Sequence, residues 1–208
     1  MTIPRDTHVE DRIGMVRVAR ILSNIISPPV MFAAAGIALG VHERPFWPGL
    51  VWGLIYGVLV ALGPLFVILY LMRTGHISEL HMSSTRERHI PYISAVVFGM
   101  IAYALLLLFD GPELLRCLTI LSAITLGTLG LINTRWLISI HATAAIITWL
   151  VVTLIFGWTA SLTLLPLVVL ICWIRIYLKR HTPAQVLAGI ALGIATFMLI
   201  RTLGCFPA

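Results

Sequence analysis

Two histidines stand at the starts of apolar stretches, each with company suited to an anion. Ser139-Ile140-His141 is one group, and Arg175, His181 and Gln185 form the other, in the spacing Arg-x5-His-x3-Gln. An imidazole can attack phosphorus or protonate a leaving oxygen, while a guanidinium fork and a hydroxyl can hold the remaining oxygens. Thr182-Pro183 ahead of an apolar run reads as a helix start, with Thr182 as N-cap and Pro183 in the first helical position. His181 then lies just before a helix N-terminus, where unpaired N–H groups and the helix dipole favour negative charge. This set of groups is equipment for phosphoryl transfer. Gln185 has two readings: an acceptor for a ring N–H of His181, or the partner of Thr182 in a capping box.

Apolar spans position these groups. The chain has 208 residues, of which 60% are hydrophobic and 11% charged, and its mean hydropathy is +1.02. Apolar stretches near twenty residues, broken by short polar loops, predict an all-α polytopic transmembrane bundle. Seven stretches qualify, at about 20–41, 49–72, 91–109, 114–132, 137–156, 160–178 and 184–203. The fifth and sixth are parted only by Gly157-Trp158-Thr159, and Ser27-Pro28-Pro29 weakens the first, so six spans is the alternative count. No linker or repeat divides the chain, and residues 1–208 read as a single integral-membrane domain.

The polar loop from Arg73 to His89 follows the second span, Ser139 and His141 follow the fourth, and Arg175 and His181 follow the sixth. An even number of crossings separates the three clusters, so they share one face of the membrane whichever way the chain points. On that side lie Arg5, Arg12, Arg17, Arg20, Arg73, Arg86, Arg88, Arg135, Arg175, Lys179 and Arg180, against Arg44, Arg116 and Arg201 on the other. By the positive-inside rule the N-terminus and the clusters face the cytoplasm. Lys179 and Arg180 read as cations that snorkel and set topology. Gly36 and Gly40, then Gly49, Gly53, Gly57 and Ala61, then Gly189 and Gly193 make small-residue stripes for close helix packing. The same stripes would also serve the seam of a homo-oligomer.

In order and placement the three clusters resemble the motifs of the type 2 phosphatidic acid phosphatase superfamily, which includes membrane lipid phosphatases and the related vanadium haloperoxidases. The family signatures are Lys-x6-Arg-Pro, Pro-Ser-Gly-His and Ser-Arg-x5-His-x3-Asp. Here His81 stands at the Lys position, Arg88 is followed by His89, Ile138 and Ile140 flank Ser139, Ile174 precedes Arg175, and Gln185 replaces the Asp. The resemblance implies a family-like core at about 73–203, His181 as nucleophile and His141 as general acid. It implies Arg88, Arg175 and Ser139 as phosphate ligands, with His81 and Arg86 beside them. The implied activity is metal-independent hydrolysis of a lipid phosphomonoester or isoprenyl diphosphate through a phosphohistidine, without a cofactor. A non-catalytic lipid-phosphate binder on the same fold is the alternative.

Other chemistries fit less well. His76, His81, His89, His141 and His181 share one side, yet no compact motif gathers them for a metal or haem. The eight acidic residues, Asp6, Glu10, Asp11, Glu43, Glu79, Glu87, Asp110 and Glu113, include no Asp-rich pair to hold magnesium on a diphosphate. With no large soluble region, the net charge of +6 points to anionic lipid headgroups and not to nucleic acid. Cys117, Cys172 and Cys205 lack CxxC spacing and read as small buried hydrophobes.

Overall fold

The computed structural model describes residues 3–76 and 89–206. Among these the chain is all-helical: α1 (Gly14–Ile25), α2 (Pro28–Glu43), α3 (Phe46–Gly57), a π-turn (Val58–Leu62), α4 (Gly63–Arg73), α5 (His89–Leu108), α6 (Glu113–Ile132), α7 (Ile140–Tyr177) and α8 (Pro183–Thr202). Among the described residues five helical runs are long and apolar enough to cross a membrane, and α1 with α2, bent by 41°, makes a sixth if the pair is one span. Ser27 and the two prolines after it set that bend, since proline is welcome only in a first helical turn.

The 38 residues of α7 are not one straight span. At 1.5 Å per residue they would reach roughly 57 Å, nearly twice a hydrocarbon core of about 30 Å. Gly157 has φ 85° and ψ 172°, backbone angles open to glycine alone. There the chain doubles back: Trp149 Nε1 donates to the Ser161 carbonyl at 3.0 Å, and the Trp149 and Trp158 rings meet edge-to-face at 5.7 Å. Twelve residues of continuous helix would hold Trp149 and Ser161 roughly 18 Å apart. Two antiparallel arms result, and the three-residue break read from the sequence is the hinge.

Large apolar side chains face outward, as lipid requires: Leu108 is 77% exposed and Leu131 75%. Inside, helices approach through small residues and interhelical hydroxyl bonds, because lipid offers no hydrophobic drive between helices. A Cβ at Gly49 would collide with the Gly40 carbonyl oxygen, and one at Gly53 would lie 2.6 Å from the Ile37 Cα. The stripes of α2 and α3 thus pack on each other within one chain. Thr125 bonds Thr196 at 3.0 Å, and Thr143 bonds the Gly189 carbonyl at 2.9 Å.

The end opposite the histidines is closed by polar latches. The Glu43 carboxylate accepts the N–H groups of Glu113 at 2.6 Å and Leu114 at 2.7 Å, capping α6 from another helix. Arg116 pairs with Asp110 at 2.9 Å. Cys117 and Cys205, read from the sequence as separate buried thiols, are joined in a disulfide with Cα atoms 5.3 Å apart. The start of α6 and the end of α8 meet only in the fold, across a separation of 88 residues, which spacing alone cannot reveal. Cys172 remains a free, half-buried thiol.

Gly49→Ala should destabilise the protein by about 1–3 kcal/mol, because neither backbone at that crossing can give way. Gly127, with nothing within 4 Å of an added Cβ, should accept Ala at no cost or with a gain of up to about 1 kcal/mol from helix propensity. Thermal unfolding in detergent reads both.

Candidate functional site

Two helix starts meet at the histidine end. Asn133, at the end of α6, takes the Ile138 N–H on its Oδ1 at 2.7 Å, so the segment from Leu137 to Ser139 is held extended. Ser139 then caps α7, its Oγ accepting from the Ala142 N–H at 3.4 Å. On the other side Thr182 caps α8. The segments are bonded to each other: the Ser139 N–H donates to the Gln185 carbonyl at 3.1 Å, and the His181 ring meets the Leu137 carbonyl at 3.2 Å. Gly189 makes this approach feasible, since a Cβ there would lie 2.6 Å from the Ser139 carbonyl oxygen.

The contact to Leu137 fixes the state of the His181 ring. A carbonyl oxygen only accepts, so Nδ1 must carry the proton. In the neutral ring the lone pair then sits on Nε2. His181 is 5% exposed, His141 8%, Arg175 3% and Ser139 0%. These four sequence-assigned residues are therefore buried at one end of the bundle. Arg175 ends the second arm of α7, and its main-chain oxygen accepts the N–H groups of Arg180 at 3.1 Å and His181 at 3.2 Å. Its Nη1 donates to Ser23 Oγ at 3.1 Å. His81, Arg86 and Arg88 lie outside the described residues.

Gln185 completes a full capping box: its Oε1 accepts the Thr182 N–H at 2.9 Å, and its own N–H donates to Thr182 Oγ1 at 3.3 Å. The ring bond that the family pattern asks of position 185 is instead made by the Leu137 carbonyl. The orphan N–H groups of the helix start take the glutamine first.

Arg180 is not the free, snorkelling cation its position suggested. Its side chain is 4% exposed and its Nε bonds Asp6 at 2.8 Å; Lys179 beside it is exposed. Asp6, Ser23 and the Leu137 carbonyl were missed in the sequence. The only signal for Asp6 was an acidic residue among the arginines of the N-terminal segment, and a backbone carbonyl gives none. Among the described residues no three His, Cys, Asp or Glu side chains gather as metal ligands.

If Thr182 and Gln185 act as reciprocal caps, Thr182→Ala and Gln185→Ala should each cost about 0.5–2 kcal/mol. The double variant should then lose less than the sum of the two. Additive losses in thermal unfolding would give Gln185 a role apart from the cap.

No similar curated protein and no similar solved structure was found for the chain. A family comparison does match, over residues 114–204, from the fourth span to just past the end of the last. That stretch holds Ser139, His141, Arg175, His181 and Gln185, and over it the chain is similar to the PAP2 superfamily.

Proposed function

We propose that the protein is a membrane lipid phosphatase that works through a phosphohistidine at His181. The observation that carries this reading is the Nδ1 contact of His181 with the Leu137 carbonyl, which leaves Nε2 as the nucleophile inside a buried, cationic site. The starts of α7 and α8 converge there, and their helix dipoles favour the negative charge of a phosphoryl group. Ser139 Oγ accepts from Ala142, so its own proton remains available for a phosphate oxygen. Arg175, with Arg88, Arg86 and His81 of the loop after the second span, would hold the others.

In the first step Nε2 of His181 attacks phosphorus and the bond to the lipid oxygen breaks. His141 protonates that oxygen as it leaves. Water then attacks the phosphohistidine, releasing phosphate and restoring the ring, with His141 as base. None of these steps calls on a metal ion or a cofactor. The substrate is a lipid phosphomonoester or an isoprenyl diphosphate.

We infer that the site faces the cytoplasm. The excess of arginines at the histidine end supports this. So does the Cys117–Cys205 disulfide at the other end, since disulfides persist on the oxidising side of a membrane.

The test is phosphate release by purified protein from a panel of lipid phosphates and isoprenyl diphosphates, with EDTA present. Release should persist in EDTA, vanish in His181→Ala and fall about 10²- to 10⁴-fold in His141→Ala. Binding of these lipids without release, by folded protein, would make the chain a lipid-phosphate binder instead. The cap-bound Gln185 is the observation that favours that second reading.

A further inference from the structure

Residues 3–25 lie against the turn that carries His181. The Arg5 N–H donates to the Leu178 carbonyl at 3.0 Å, and the Arg5 guanidinium covers the Tyr177 ring at 4.7 Å. Asp6 is 0% exposed, the only buried carboxylate among the described residues. Its oxygens take Arg180 Nε at 2.8 Å and Arg20 Nη1 at 2.9 Å. Its main-chain oxygen takes Arg12 Nε and Arg20 Nη1, both at 3.0 Å. Farther along, Ala19 packs on Ile174 and Leu178, and Ser23 holds Arg175. The opposite face of α1 exposes Met15, Val18, Ile21 and Ile25, an apolar stripe suited to the membrane interface.

The N-terminal segment thus grips Arg175, Tyr177, Leu178 and Arg180, within the six residues leading to His181. A buried carboxylate between two guanidiniums is costly to desolvate and is poor evidence for stability alone. Its geometry instead defines where the chain just before the nucleophile must lie. We propose that Asp6 is a positioning residue of the site: by holding Arg180, with Ser23 holding Arg175, it fixes the turn that presents His181. This rests on the phosphatase reading for its effect on turnover, but the grip on the turn is independent of it.

The test compares the full-length protein with Asp6→Asn, Arg180→Gln, their double variant and Ser23→Ala. Asp110→Asn, at the far end, is the control. Two quantities are read: kcat and KM for lipid-phosphate hydrolysis, and amide hydrogen exchange over residues 176–182. Asp6→Asn should lower kcat about 10- to 100-fold, as small misplacements of a reacting group do, with KM nearly unchanged. Exchange at Arg180 and His181 should accelerate while the far end stays protected. The double variant should be no worse than the worse single one, because the two residues act through each other. Ser23→Ala, which removes no charge and suits a helix, should raise KM several-fold through Arg175, and it decides the matter if Asp6→Asn does not fold.

Unchanged exchange and kcat in folded Asp6→Asn would overturn the proposal, as would an unchanged KM in Ser23→Ala. Faster exchange across the whole protein, matched by Asp110→Asn, would also overturn it by reducing Asp6 to general stability. If the parent protein releases phosphate from no substrate, the phosphatase reading fails by itself. Local acceleration in Asp6→Asn would then still uphold the grip on the turn, and its absence would remove it.

Discussion

A backbone that leaves helical geometry at a membrane surface must find partners for its N–H and C=O groups, because lipid offers none. At the histidine end two such breaks occur, after α6 and after α7, and they solve the problem with each other. The Ser139 N–H goes to the Gln185 carbonyl, and the Leu137 carbonyl goes to the His181 ring. The bonds that satisfy the backbone are the ones that orient the His181 ring. With Gly157 returning the chain and Gly189 allowing close contact, the rest of the bundle serves to bring these two breaks together.

The same constraint explains the fate of Gln185. A carboxamide beside a helix start has two claims on it, the imidazole and the unpaired N–H groups of the first turn. The cap is local and always present, so it wins, and a backbone carbonyl takes over the ring. A neutral carbonyl fixes the tautomer as well as an amide would. It offers an imidazolium less charge compensation than a carboxylate, and the chain keeps its one described buried carboxylate a residue away from His181, on Arg180.

Much of this was legible in the sequence because membrane structure is dominated by local hydropathy. The apolar helical runs were found near their observed ends, and parity placed Ser139 and His141 at the same end as Arg175 and His181 without any knowledge of packing. Gly157 read as a weak break because one glycine between apolar runs leaves hydropathy almost unaltered, although its backbone angles reverse the chain. The contacts that were not legible are long-range. Asp6 reaches Arg180 across 174 residues, and Cys117 reaches Cys205 across 88. Neither pair has a periodicity or spacing to mark it. The Leu137 carbonyl was hidden for a different reason: every residue has one, and only the fold chooses which is used.

In the proposed reaction His181, held through Nδ1, makes the bond to phosphorus. The most direct measurement is rapid quenching of turnover into alkali with a labelled lipid phosphate, followed by peptide mapping of the labelled protein. A phosphohistidine at this position requires acid-labile label on His181, formed and lost at rates that match turnover. Label on His141, or turnover that proceeds with no labelled histidine, would contradict it.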